Sequence, residues 1–152
     1  MAKRKKKKQK PKVIVHAIEN GAICSICGRI DNPFIDGICD FHTHGLKEGY
    51  GHTEFQLIIH YPREELFDIL MRFADCVREG RRFHDGEFIE GIFFDCPVRL
   101  TLTKDQFGED VFRIIIPDSR NRWPEDKECE YPYCAQLMPL AFMRRGDNQH
   151  TH

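Results

Sequence analysis

Apolar and polar positions divide this chain into a polar arm, a series of short strand-like runs and one long amphipathic stretch. Val13-Ile14-Val15-His16-Ala17-Ile18 is a short apolar run closed by Glu19-Asn20-Gly21, which predicts a strand and a turn. Phe55-Gln56-Leu57-Ile58-Ile59-His60-Tyr61 predicts a buried strand. Pro62 then opens the clearest helix, because a missing N–H is tolerated at the first helical position. Glu64 and Glu65 suit the positive end of that helix. Leu66, Ile69, Leu70, Phe73 and Val77 recur at three- and four-residue steps as one apolar stripe. Gly80 is the expected stop.

Beyond Gly80 the period shortens to two. Phe88 to Phe94 is a candidate strand. Val98, Leu100 and Leu102 then alternate with Arg99, Thr101 and Thr103, the pattern of a half-buried strand. Val111 to Ile116 follows a turn at Asp105 to Asp110, and the two runs predict an antiparallel hairpin. Ser119 to Tyr133 is rich in turn-formers and charge. Ala135 to Met143 is a short apolar closing segment. The expected class is α+β: a mainly antiparallel sheet, one principal helix, and a zinc-knuckle-like N-terminal loop.

A length of 152 residues suits one domain. The expected organisation is a disordered basic tail over 1–12, a single domain over 13–143 with a zinc-knuckle-like segment at 22–46, and a frayed end at 144–152. Net charge is −1, but the tail holds eight of the 23 Lys+Arg and no acid. The remainder therefore carries 15 basic against 24 acidic side chains, a balance of −9. An acidic body excludes nucleic-acid binding through the fold surface. It leaves weak, salt-dependent binding by residues 1–12, or a merely solubilising tail. No apolar run approaches the roughly 18 residues of a membrane span, so no membrane partner is expected. Met1-Ala2-Lys3-Arg4 leads into lysines rather than an apolar signal core, and a cytoplasmic location is expected. Seven cysteines in that setting point to reduced thiols and metal binding rather than disulfides.

The cysteine spacing brings in chemistry. Cys24-x-x-Cys27 and Cys39-x-x-His42 form two chelating pairs, and zinc takes four such ligands in a closed structural site. Gly28 and Gly37 permit tight turns beside the thiolates. Cys24, Cys27, Cys39 and His42 are the expected zinc ligands. His44 is the alternative to His42, since residues two apart in extended chain face one side. The competing readings are reduced core cysteines, a Cys-x-x-Cys redox pair, and a barrel hydrolase. The redox pair needs a helix after Cys27 that the sequence does not provide. The barrel is suggested by Asp40-Phe41-His42-Thr43-His44, but such a barrel needs roughly 200 residues or more.

A further set of motifs runs from Phe41 to the closing segment. They are Thr43-x-Gly45-Leu46, Gly51-His52-Thr53-Glu54-Phe55, Gly80-Arg81-Arg82-Phe83 with Gly86, and Pro97-Val98-Arg99-Leu100. Pro117-Asp118, Arg122-x-Pro124, Tyr133 and Gln136 complete the set. In order and spacing the chain resembles the uncharacterised bacterial domain-of-unknown-function family 4262 over about residues 41–138. It departs in having Thr53 where members commonly have proline, His42 where an aromatic is usual, and an added cysteine cluster. The resemblance implies a domain boundary but no reaction.

Polar residues within these motifs nominate a pocket: His52, Glu54, Arg99, Asp118 and Arg122. His52 and Glu54 lie two apart and share a face in extended chain. Guanidinium groups grip carboxylate or phosphate in a bidentate fork, so the expected ligand is an anionic small molecule. The alternative is a set of ion pairs and capped turns that fix loops. The first functional reading is a zinc-binding module, the zinc mainly structural, that binds a ligand or partner. The second is a metal-assisted hydrolase or other small-molecule enzyme using His52 and Glu54. The third is a nucleic-acid accessory protein acting through the tail.

Overall fold

The computed structural model describes residues 13–18, 37–105 and 107–139, with backbone alone for 16–18. The basic tail, Cys24, Cys27, most of the knuckle-like segment and residues 144–152 lie outside the described residues. The elements in chain order are β1 (Ile14–Ile18), β2 (Ile38–His44), α1 (Leu46–Tyr50), β3 (Glu54–Ile59), α2 (Arg63–Arg78), β4 (Phe88–Ile89), β5 (Val98–Lys104) and β6 (Asp110–Ile115). A 3-10 turn, Tyr133–Ala135, follows.

All six strands join one sheet in the order β1-β2-β3-β6-β5-β4. β1 pairs antiparallel with β2, β2 with β3, β5 with β6 and β4 with β5. β3 and β6, at the centre, run parallel, with Glu54 opposite Val111 and Gln56 opposite Arg113. The fold is therefore α+β as expected, but the sheet is mixed rather than mainly antiparallel. Parallel neighbours need a long crossover, and the segment carrying α2, β4 and β5 supplies it. The expected β5–β6 hairpin is present, with Arg99 opposite Ile115 and Lys104 opposite Asp110.

The amphipathic period accounts for α2. Leu66, Ile69, Leu70, Phe73, Ala74 and Val77 are its buried residues. They join Phe41, Phe55, Leu57, Leu100, Phe112 and Ile114 of the sheet in one core. Each such side chain removed from water contributes about 1.5–3 kcal/mol. Pro62 is the residue before the first turn rather than within it, and its carbonyl accepts the N–H groups of Glu65 and Leu66. Gly80, at φ +100°, turns the chain out of the helix. Only Phe88 and Ile89 of the Phe88–Phe94 run pair as a strand.

β2 is a seven-residue strand where one arm of a zinc knuckle was expected. Its alternation is chemical rather than simply apolar. Cys39 and Phe41 enter the α2 core, and Ile38 packs with Ile58 on the other face. That second face also holds Asp40, His42, Gln56 and Arg113, all essentially fully buried. The closing segment covers part of it: Ala135 and Met138 pack on Ile38 and Ile58. The Arg113 guanidinium donates through Nη1 to the carbonyls of Gln136 and Met138. The Gln136 side chain pairs with both N–H and C=O of Ile116. The segment is thereby strapped to the sheet by polar as well as apolar contacts.

Gly37 has a role other than turning beside a thiolate. It sits at φ +77°, and a side chain there would press on the Pro132 ring at 3.1 Å.

Candidate functional site

The five residues nominated as a pocket divide between the two ends of the sheet. His52 and Glu54 lie at the start of β3, beside Val111 at the start of β6. Asp118 lies seven residues past Val111, which at 3.3 Å per extended residue is roughly 20 Å away. The parallel pairing of β3 and β6 thus separates them, and no local pattern along the chain reveals that pairing.

His52 is 5% exposed and stacks among aromatic rings, 5.4 Å from Phe55, 5.9 Å from Phe83 and 5.7 Å from Phe112 between centroids. Its Nδ1 lies 2.8 Å from the Thr53 carbonyl, and its Nε2 accepts the Phe83 N–H at 3.2 Å. A carbonyl only accepts, so Nδ1 carries the proton and the ring is neutral. Both nitrogens are thus committed to backbone. Burial pushes the His52 pKa down, with Arg82 reinforcing and the Thr53 hydrogen bond opposing.

This has a consequence for pH. The unfolded chain takes up a proton on this imidazole near the ordinary value of 6.5, and the folded chain resists it. The stability His52 contributes is therefore fully present above 6.5 and is lost as pH falls below 6.5 toward the lowered folded value. Urea unfolding between about pH 7 and pH 5 should show a falling free energy, and His52→Phe should flatten that slope. Equal slopes in the two proteins would remove His52 as the source.

Glu54 serves the start of α1. Its Oε1 accepts the Thr43 hydroxyl at 2.8 Å and the Leu46 N–H at 3.2 Å, and its Oε2 accepts the Lys47 N–H at 3.0 Å. Thr43 in turn receives the Phe55 N–H at 3.0 Å. The motif residues Thr43, Leu46 and Glu54 therefore form one junction between β2, α1 and β3.

At the other end, the Asp118 carboxylate gathers the loop after β6. It accepts the N–H groups of Arg120, Arg122 and Glu130 and the Arg122 Nε, at 2.8–3.0 Å. Burial alone would raise its pKa, but these donors hold it well below the usual carboxylate range. Arg122 also faces Glu128 and Glu130. Arg99 is bidentate on Glu125, at 2.6 and 2.7 Å, and lies 5.2 Å from the Trp123 ring centroid. The guanidinium forks of Arg99 and Arg122 are thus turned toward carboxylates of this same chain.

The loop forms one wall of a cleft of about 130 Å³ at the carboxyl ends of β3 and β6. Crevices form at such ends because the connections leaving parallel strands diverge. Tyr61, Asp95, Cys96, Asp118, Asn121 and Tyr133 line it. The Tyr61 and Tyr133 hydroxyls meet at 2.9 Å. Burial first, and the Tyr133 contact second, push the Tyr61 pKa far up. Burial, then the Asp95 charge, push the Cys96 thiol up as well. Both groups stay protonated at neutral pH. Asn121 occupies the left-handed region at φ 60°, which Asn tolerates better than most residues. Nothing in the sequence singled out Tyr61 or Asp95, because only the fold brings them to Asp118. A second, broader depression of about 350 Å³ opens at the opposite end beside His44, Lys47, Glu54, Asp105, Glu109 and Asp110.

Of the expected zinc ligands, Cys39 and His42 are described. Cys39 is buried among apolar side chains, and its Sγ donates to the Ile59 carbonyl at 3.3 Å. His42 is fully buried on the other face of β2, with Nδ1 3.0 Å from Asp40 Oδ1. Residues three apart on a strand point to opposite faces, so Cys39 and His42 do not converge here. His44 shares the face of His42, their ring centroids 4.7 Å apart at 88°. Among the described residues no group of three His, Cys, Asp or Glu is set to hold a metal. The described cysteines Cys76, Cys96, Cys129 and Cys134 are free thiols.

The class this architecture defines is an α+β domain with a mixed six-stranded sheet, strapped on one face by its closing segment and packed by one helix on the other. No family model, curated protein or solved structure matches the chain. No helix among the described residues is long and apolar enough to cross a membrane.

Proposed function

We propose that this chain is a small zinc-binding domain whose zinc is structural and whose task is to bind a ligand in the cleft between Tyr61, Asp118 and Tyr133. The observation that supports this best is the Asp118 junction. One carboxylate with four donors presets the loop wall before any ligand arrives, which lowers the ordering cost of binding. Motif residues of the resemblance to family 4262 also gather here: Pro117, Asp118 and Tyr133 line the cleft.

The ligand class follows from the lining. Asp95, Asn121 and two phenols offer acceptors, and among the described residues no lysine or arginine lines the cleft. A small molecule carrying an ammonium or amidinium group fits that lining better than an anion does. The volume admits a fragment of a few heavy atoms rather than a drug-sized molecule.

Titration of the isotopically labelled protein with small amines, guanidinium compounds and matched carboxylates tests the proposal. Cationic fragments should shift the amides of Ser119, Asn121 and Tyr133. Asp95→Asn and Tyr133→Phe should each weaken binding about tenfold, the scale of one lost hydrogen bond to a charged group. Shifts that map instead to the depression beside Lys47 and Asp110, or a preference for carboxylates, would overturn it.

A further inference from the structure

The loop wall of the cleft carries a chemistry that cation binding does not use. Cys134 sits in the Tyr133–Ala135 turn, and Cys129 lies just ahead of it. Cys129 is 8% exposed, Cys134 is open to solvent, and both are free thiols. One peptide carbonyl brings them together. The Glu130 C=O accepts the Cys134 N–H at 3.0 Å, and the Cys129 Sγ lies 3.9 Å from the same oxygen. The sulfur of one residue is therefore within about 7 Å of the backbone nitrogen of the other, and a disulfide joins Cα atoms roughly 4.4–6.8 Å apart. The two thiols also feel each other electrostatically. Burial, then the Asp118 charge, then that of Cys134 push the Cys129 thiol up to about 11.

The buried thiol belongs to the Asp118 junction. Its Sγ–H donates to the Arg122 carbonyl at 3.4 Å, and that carbonyl also accepts the Asp118 N–H at 3.0 Å. The next residue, Glu130, gives its N–H to the Asp118 carboxylate at 3.0 Å. Beside Cys134, the Tyr133 hydroxyl meets that of Tyr61 at 2.9 Å. A thiol has a hydrogen to donate, and a disulfide sulfur has none. Joining the pair thus removes the donor to Arg122 and draws the turn that carries Tyr133 toward the Asp118 loop.

We propose that Cys129 and Cys134 form a reversible disulfide on exposure to a hydroperoxide, and that this bond reshapes the wall of the cleft. The exposed Cys134 thiolate attacks the peroxide. An S–O bond forms, the O–O bond breaks, and the departing oxygen takes up a proton and leaves as an alcohol, or as water when the oxidant is hydrogen peroxide. The Cys129 sulfur then attacks the sulfenic sulfur of Cys134. The S–S bond forms, the S–O bond breaks, and hydroxide leaves with the Cys129 proton as water. Together the thiols lose two electrons, which reduce one peroxide. The bridge closes a loop of only six residues, so it gains less from chain entropy than a long one would and yields readily to an external thiol. Its effect on ligand affinity rests on the reading of the cleft as a binding site.

The test uses the full chain, first reduced and then treated with hydrogen peroxide. Trypsin releases residues 128–144 as one peptide that holds both of these cysteines and no other. From treated protein this peptide should be lighter by two hydrogens and resist alkylation, and dithiothreitol should restore both thiols. Cys129→Ser should instead leave Cys134 as a sulfenic acid that dimedone captures. Cys134→Ser, at an exposed position, should leave Cys129 a thiol, and it decides the matter should Cys129→Ser fail to fold. The Glu130 and Tyr133 amides should shift on oxidation. A small guanidinium compound should bind the oxidised form about tenfold more weakly, the loss expected for Tyr133→Phe. Cys134 that passes to sulfinic acid beside an untouched Cys129, or that pairs with any other cysteine, overturns the proposal. A bridge that forms while those amides stay in place overturns its link to the cleft. A guanidinium compound that binds neither form is a different failure: it removes the ligand reading, while the peptide mass and the amide shifts still decide the disulfide.

Discussion

Arg113→Ala should destabilise the fold by about 3–5 kcal/mol, the range for breaking a buried charge pair by removing one partner. Arg113 is 1% exposed, and burial pushes its pKa down to about 10 while the Asp40 charge opposes that shift. The guanidinium therefore stays charged at neutral pH. It donates to Gln56 and to the carbonyls of Gln136 and Met138, and among the described residues its Nη2 finds no acceptor. Truncation removes these bonds, loosens the closing strap and takes away a positive charge that acts on Asp40. Adding Asp40→Asn should then recover part of the loss, with a coupling of about 1–3 kcal/mol between the two sites. Urea unfolding of the two single variants and the double variant measures this. Strict additivity would mean that Asp40 and Arg113 do not act as a pair.

Phe55→Ala should cost about 3–5 kcal/mol, as large-to-small substitutions of buried aromatics do. Phe55 is fully buried at the centre of the aromatic cluster, 5.0 Å from Phe73, 5.4 Å from Phe83 and 5.9 Å from Phe112 between ring centroids. It is also the ring against which His52 stacks, so its loss opens a cavity beside the neutral imidazole. Water entering there would ease the protonation of His52. Phe55→Ala should therefore weaken the pH dependence of stability as well as its magnitude, whereas Phe55→Leu should cost less than about 1.5 kcal/mol and keep the pH profile. Denaturation at several pH values separates these outcomes. A loss below about 1 kcal/mol for Phe55→Ala would show that the cluster collapses onto the vacancy.

The elements legible in the sequence were those whose burial is apolar and one-sided. α2 was visible because its stripe recurs at 3.6 residues and ends at a glycine; β5 and β6 were visible because Val98, Leu100 and Leu102 alternate with polar residues. β2 was missed because both its faces are buried, one of them by a polar network. Asp40 and His42 read as surface or ligand residues when only local pattern is available. α1 is five residues long, and its start depends on Glu54, eight positions downstream of Leu46. No local signal reveals such a cap. The nominated pocket suffered from the same limit. His52 and Glu54 are close in sequence and close in space, and so are Asp118 and Arg122, but the distance between the pairs is set by a strand pairing between remote segments. The alternation of Asp40, His42 and His44, by contrast, was readable as one face of an extended chain.

The parallel pairing of β3 with β6 has a consequence for kinetics. It divides the sheet into two halves, β1-β2-β3 and β6-β5-β4, each built from antiparallel neighbours. The β5–β6 and β4–β5 pairs and most of the first half close short or moderate loops. The β3–β6 seam joins Gln56 to Arg113, residues 57 apart, and must await the placement of everything between them. Closing a long loop is entropically dearer than closing a short one, and non-local pairing is slow. Contacts across the seam therefore form late, after the transition state has gathered the local hairpins. Late contacts act on the rate of unfolding more than on that of folding. In a chevron plot Arg113→Ala should raise the unfolding limb and leave the folding limb nearly in place. The seam would then govern how long the native state lasts, and the hairpins how quickly it is reached.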